Sequence, residues 1–247
     1  MTRVIALGAS NLTRGLRTVV SMSRVAWGAD TEVIAALGLG RSYGGRSRFI
    51  MRTLPGILDC GIWRALDDLP PATTTIGIVS DVGNDILYGY PSPQILEWVD
   101  ESITRLRRHT DTITLTGLPF FNANQLTERR FRIMRAIVFP SSQQTLAGAR
   151  LGAGVVQEGL ERIAVARGVR FVPLQQQWYR WDPIHFRYRY WRRMWGVCLG
   201  LNEQVWTAPP EPGGFIESSR LWLRSDERRW LFGVHQHRRQ SGGLRLF

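Results

Sequence analysis

The sequence predicts an α/β protein: a three-layer α/β/α sandwich with a mostly parallel sheet of about five strands, plus a C-terminal appendage. Three observations predict it. Short runs rich in Val, Ile and Leu alternate along the chain with longer segments of helical periodicity. The apolar runs are continuous rather than interleaved with polar residues, the pattern of strands covered on both faces. The 247 residues, 44% of them hydrophobic and 21% charged, suffice for one large α/β domain or two small ones.

The elements follow in order. "RVIALG" (3–8) reads as the first core strand, since it is too short for a signal-peptide core and lacks a cleavage region. In 14–28 the residues Leu16, Val19, Val20 and Met22 are helix-spaced, and "TEVIAALG" (31–38) is a second strand. "SRFIMRTLPGIL" (47–58) reads as a helix, and "TTTIGIVSDVG" (73–83) as a third strand. In 92–109, Ile95, Leu96, Val99, Ile103 and Leu106 form an apolar helical face, with Pro93 near its start where proline is tolerated. Residues 111–120 read as a fourth strand, 147–168 as a helix and 169–174 as a fifth strand. The intervening 121–146 is longer than an ordinary connection, which suits a lid or side helix. After about residue 200 the pattern changes: "TAPPEPGG" is an irregular turn region and 220–234 reads as a hairpin with Trp222 and Trp230 on apolar faces. The expected division is therefore a main domain over 1–200 and an Arg/Trp-rich extension, 201–247, packed on it.

Composition narrows the function. No apolar run approaches the ~20 residues of a membrane span, although the Arg/Trp-rich tail suits peripheral contact with a membrane. Cys60 and Cys198 give neither a disulfide framework nor a metal cluster, which fits a reduced cytoplasm. The net charge of +12 suggests an anionic partner, yet every one of the 32 Lys+Arg residues is arginine, a bias that a GC-rich genome also produces. Clusters at 129–135 and 187–193 suit phosphate or carboxylate groups or simply a solvated helix face. No DNA- or RNA-binding signature accompanies them, so nucleic acid is set aside as a partner. His235 and His237 in "HQH" lack further metal ligands and read as surface residues.

In an open parallel sheet, function collects in the loops leaving the carboxyl ends of strands. Four segments there carry chemistry: "GASNLTRG" (8–15), "GLGRSYGG" (38–45), "SDVGNDILYG" (80–89) and "WDPIHF" (181–186). The second contains G-x-S-x-G, the pattern of a nucleophile elbow, and so nominates Ser42. Only one clear strand–helix unit precedes it, whereas such an elbow follows several strands; its other role is to order the loop around Gly40, with Arg41 and Tyr43 facing substrate or packing. In the fourth, Asp182 stands three residues before His185, close enough to hold an imidazole that deprotonates a serine. A serine opening a helix, such as Ser10, places its hydroxyl near N–H groups that favour developing negative charge. Asp81 and Asp85 are read as bonding their own loops.

Taken together, the four segments resemble the SGNH (GDSL-type) hydrolase superfamily. Gly8-Ala9-Ser10 matches its first block, Gly40-Arg41-Ser42 the second, with Gly38 an alternative, Val82-Gly83-Asn84-Asp85 the third, and Asp182-Pro183-Ile184-His185 the last. The resemblance covers roughly the first 200 residues and implies a flavodoxin-like sheet and a serine hydrolase without cofactor or metal, cleaving a small acyl ester or thioester. It assigns Ser10 as nucleophile, His185 as base and Asp182 as its orienting acid. The Ser10 and Gly40 backbone N–H groups and the Asn84 amide form the implied oxyanion hole. Arg180, Arg187 and Arg189 flank the histidine and suit an anionic group on the substrate. Two positions depart from the pattern: Ala9 replaces an acid and Val82 a glycine. The alternative reading is an inactive module of the same fold that holds an anion or carbohydrate; Ala9 favours it, and the Asp182/His185 pair does not.

Overall fold

Strand β1 (Thr2–Leu7) is the centre from which the architecture grows, because Val4, Ile5, Ala6 and Leu7 are all fully buried. Its side chains alternate between two cores. Ile5 and Leu7 point into one, Val4 and Ala6 into the other, as the twofold repeat of a strand requires. In the computed structural model, which describes residues 1–49, 52–119, 126–140, 142–179, 184–207, 229–231, 234–236 and 243–247, β1 pairs in parallel with β2 (Glu32–Ala36) on one side. On the other it pairs with β5 (Thr74–Val79). Next to β5 lie β6 (Thr112–Thr116) and β7 (Arg170–Val172), again parallel.

Helices cover both faces. On one, α1 (Ser10–Trp27) presents Leu12, Leu16, Val19 and Met22 and packs with α7 (Trp191–Leu199). On the other lie α2 (Ile62–Asp67), α4 (Ser92–Arg107) and α6 (Leu146–Arg167). Their Ile62, Val99, Ile103, Val156 and Leu160 meet Ile5, Leu7 and Ile34. Short helix α3 (Gly83–Tyr88) leaves the end of β5, α5 (Glu128–Val138) lies in the long connection before α6, and α8 (Glu203–Thr207) follows α7. The expected three layers are present. Among the described residues no helix is long and apolar enough to cross a membrane.

Three features differ from expectation. The segment 47–58 is not a helix: β3 (Ser47–Phe49) and β4 (Arg52–Leu54) pair antiparallel, and β4 pairs in turn with β8 (Arg229–Leu231). Its apolar spacing is helix-like, but Pro55 and Gly56 stop a helix there, and its partner strand comes from the other end of the chain. The hairpin of the tail lies at β8 and β9 (Val234–Gln236), with Trp230 opposite His235; Trp222 and His237 lie outside the described residues. The main sheet, moreover, is all parallel and has six strands rather than about five, in the order β10-β2-β1-β5-β6-β7. The sixth, β10 (Leu244–Leu246), comes from the expected appendage and pairs with β2.

Strand β10 is held by main-chain bonds from Val33 to Gly243 and from Phe247 to Ala35, and by Arg3 and Arg245 flanking the buried Glu32 at 2.7 and 3.3 Å. Leu244, Leu246 and Phe247 are buried. Truncating Leu246 to alanine is therefore expected to cost roughly 2–5 kcal/mol, read as a lowered urea midpoint. An unchanged midpoint would mean that this edge contributes nothing to stability.

Candidate active site

The sheet changes winding direction at β1. The chain first steps from β1 to β2 on one side, then crosses to β5 on the other, and the crevice between two such diverging loops is where open α/β sheets bind ligands. The loops leaving β1 and β5 meet closely here. Ser80 N donates to Leu7 O (2.9 Å), and on the other side Gly8 N donates to Ala36 O at the end of β2 (3.0 Å). A Cβ on Gly8 would lie 2.5 Å from Ser80 Oγ, so only glycine allows the approach.

Ser10 opens α1 two residues after this glycine and is 8% exposed. Its N–H belongs to the first turn, whose donors have no partner within the helix. The capping position, Ala9, has no side-chain oxygen. Asp81 supplies the missing acid from the end of β5: its Oδ2 accepts from Ala9 N (2.9 Å) and Leu12 N (3.1 Å). To do so Asp81 adopts φ of 62°, the one positive value among the described non-glycine residues. An anion at a helix N-terminus is favoured by the aligned peptide dipoles.

The same carboxylate holds Asn11. Asn11 Nδ2 donates to Asp81 Oδ1 (2.8 Å) and to Ile184 O (2.9 Å), while Asn11 Oδ1 accepts from Phe186 N (3.0 Å). The residue next to Ser10 thus grips the peptides on both sides of His185. His185 Nε2 lies 3.0 Å from Ser10 Oγ, and accepts the hydroxyl proton when its own ring proton is on Nδ1. Arg187 N donates to Trp178 O (2.8 Å) and Trp191 Nε1 to Phe186 O (3.1 Å), which anchors the segment further.

Beside Ser10 lies a cavity of about 110 Å³. Ser10, Asn84 and Asp81 line its polar end, and Leu118, Met134 and Ala153 are among the apolar residues of its wall. Asn84, in the first turn of α3, donates through Nδ2 to Arg41 O at 3.2 Å. One amide hydrogen is thereby used and a second is left to the amide. Gly40 has φ of 67° and its carbonyl accepts from Tyr88 Oη (2.7 Å), but it is not among the residues lining the cavity. Asp182 and Arg180 lie outside the described residues. The structure therefore brings Ser10, His185 and Asn84 to one place, and puts Gly40 one residue from the peptide that Asn84 holds.

No protein-family model matches the sequence, and no curated protein is significantly similar to it. Solved structures are. A carbohydrate acetylesterase family member from Sinorhizobium meliloti superposes with a TM-score of 0.54 at 18% identity, over 81% of this chain and 100% of that one. A member of the lipolytic G-D-S-L family from Veillonella parvula gives 0.51 at 13% identity, over 80% and 97%. A GDSL-like lipase from Bacteroides thetaiotaomicron gives 0.51 at 13% identity, over 84% and 89%. The fold is that of the SGNH (GDSL-type) hydrolases. At these identities the likeness is one of architecture.

Within this SGNH fold, Ser42 is not placed as a nucleophile. It is fully buried; its Oγ donates to Asp85 and accepts from Gly45 N at 2.8 Å. Arg41 and Tyr43 beside it are also fully buried. Arg41 donates to Leu37 O (3.1 Å) and to the main-chain oxygen of Phe247; Tyr43 Oη donates to Ser80 O (2.7 Å). The segment is a structural hub that ties β2, β5 and the end of the chain together. Asp81 and Asp85 likewise bond to neighbouring loops rather than their own: Asp85 receives Ser42 Oγ and Tyr43 N (3.0 Å). Arg187 and Arg189 stack over Tyr190 at 5.6 and 4.8 Å, and neither lines the cavity. Burial pushes the Cys198 thiol up to about 12, in keeping with an inert core residue.

Burial also raises the Asp85 carboxyl to about 7, against the lowering effect of its bonds from Ser42 and Tyr43. The folded protein then keeps a proton that the unfolded chain gives up near pH 4. Stability is expected to fall as pH rises from about 4 to 7, by at most about 1.4 kcal/mol per pH unit from this group. Asp85→Asn should flatten that slope in urea unfolding curves taken across the range. An identical slope in the variant would show that Asp85 is ionised throughout.

Proposed function

We propose that the protein is a serine esterase acting on a small acyl ester through an acyl-enzyme. The observation that carries this reading is the 3.0 Å contact between Ser10 Oγ and His185 Nε2 at the polar end of a cavity that Asn84 also lines. His185 takes the Ser10 proton as the oxygen attacks the ester carbonyl, and gives it to the departing alkoxide when the tetrahedral intermediate collapses. Water then attacks the acyl-enzyme with His185 again as base, releasing the acid and restoring Ser10. Asp182, three residues before the histidine, is the acid proposed to hold its tautomer. The Ser10 N–H, at the positive end of α1, and the free hydrogen of the Asn84 amide stabilise the oxyanion. The Gly40 N–H is the third proposed donor, two peptides before the one whose carbonyl Asn84 holds.

Ala9 does not speak against this reading, because Asp81 restores in space the acid that the sequence lacks at that position. The test is hydrolysis of p-nitrophenyl acetate, butyrate and hexanoate in the presence of a chelator. Turnover is expected, at a rate the chelator does not change. No turnover of any of the three would contradict the proposal and return the chain to a ligand-holding module.

A further inference from the structure

Among the described residues the wall of the cavity beside Ser10 is mostly apolar. Besides the site groups, Ser80 and Thr116 bring polar side chains to it, and Ile86, Leu118, Met134, Ala149 and Ala153 are among its apolar lining. Ala149 and Ala153 are one turn apart on α6, each 8% exposed. Their methyl groups leave space that any larger side chain on that face would take up. Met134 comes from α5, in the long connection that precedes α6.

We infer that this cavity receives the acyl chain of the ester, and that its size suits a chain of several carbons rather than an acetyl group. The inference rests on the serine-esterase reading above and adds the substrate class to it. The side of the ester follows from where the site groups stand. Once Ser10 has attacked, the carbonyl carbon carries three other substituents: the oxyanion, the leaving oxygen and the acyl chain. The leaving oxygen must face His185 Nε2 to receive its proton, and the oxyanion faces the Asn84 amide. His185 is not among the residues lining the cavity, whereas Ser10 and Asn84 are. The substituent left to enter it is the acyl chain. A dry apolar cavity of ~150 Å³ holds the six carbons of benzene, so about 110 Å³ takes a chain of roughly four carbons beyond the carbonyl.

Two series of esters separate the acyl chain from the alcohol: p-nitrophenyl esters from acetyl to dodecanoyl, and acetates of alcohols from ethyl to decyl. In the first, kcat/KM is expected to rise about 3- to 4-fold per methylene up to about pentanoyl and then stop rising. The second should show no such climb. Ala153→Phe, with folding checked by circular dichroism, should lower the hexanoyl-to-acetyl ratio by at least about 10-fold. Ala149→Leu, a smaller change, should move it the same way. Acetyl as the best substrate, a climb in the alcohol series alone, or a ratio unmoved in both folded variants would overturn the inference. A binding arm separates it from the esterase reading. Hexanoate, but not acetate, should raise the melting temperature of the unaltered chain, and Ala153→Phe should abolish the rise. That result without any turnover would keep the cavity's assignment to an aliphatic chain and sink the esterase reading. Turnover with no dependence on acyl length would do the reverse.

Discussion

Ser10→Ala is expected to lower kcat/KM for p-nitrophenyl esters by at least about 10⁴-fold, with the protein still folded. The hydroxyl is the proposed nucleophile, and no other group takes over its role at the cavity's polar end; what survives is the contribution of binding and of oxyanion donors. His185→Ala should lose activity to a similar extent. The double variant should lose scarcely more than either single one, because nucleophile and base act in the same step. Ser42→Ala supplies the contrast. Removing that buried hydroxyl takes the donor away from Asp85 and the acceptor away from Gly45 N, so its effect should fall on stability, at about 1–3 kcal/mol. A Ser42 variant that folds but is as inactive as the Ser10 variant would contradict this division of roles.

The second large effect is expected at Asn11. Its side chain joins Ile184 O, Phe186 N and Asp81 Oδ1, and so sets where His185 stands relative to Ser10. Displacing a reacting group by about 1 Å costs on the order of 10²-fold in rate. Asn11→Ala should therefore reduce kcat by about 10²-fold while KM changes by only a few-fold, since Asn11 acts through the histidine. Asn11→Asp should not rescue it. The aspartate keeps an acceptor for Phe186 N but loses the donor to Ile184 O, and sets a second carboxylate against Asp81. A loss confined to KM, or full activity in Asn11→Asp, would show that the clamp does not position the base.

Much of this was legible in the sequence because it is local. The continuous apolar runs announce strands buried on both faces, and β1, β2, β5, β6 and β7 lie where those runs fall. The segments that carry Ser10, Asn84 and His185 were marked by their position after strands, and the structure brings those three residues together. What the sequence concealed depends on distant pairing. Strand β4 finds its partner in β8, and β10 reaches β2 from the end of the chain; three-residue strands carry no periodicity of their own. The helical spacing of 47–58 misled for that reason. Asp81 was hidden differently. Its bonds run to residues 9, 11 and 12, about 70 positions away in the chain, and the visible sign was an absence, the alanine at the capping position. Ser42 shows the converse: its pattern belongs to a nucleophile, but full burial against Asp85 makes it a bracket for the loop.

The role of Ser10 as nucleophile is tested most directly by covalent labelling with a fluorophosphonate, followed by peptide mapping. A single modified serine is expected, Ser10, with the label absent from Ser10→Ala, strongly reduced in His185→Ala and retained in Ser42→Ala. Modification of Ser42, or a chain that takes no label while remaining folded, would contradict it.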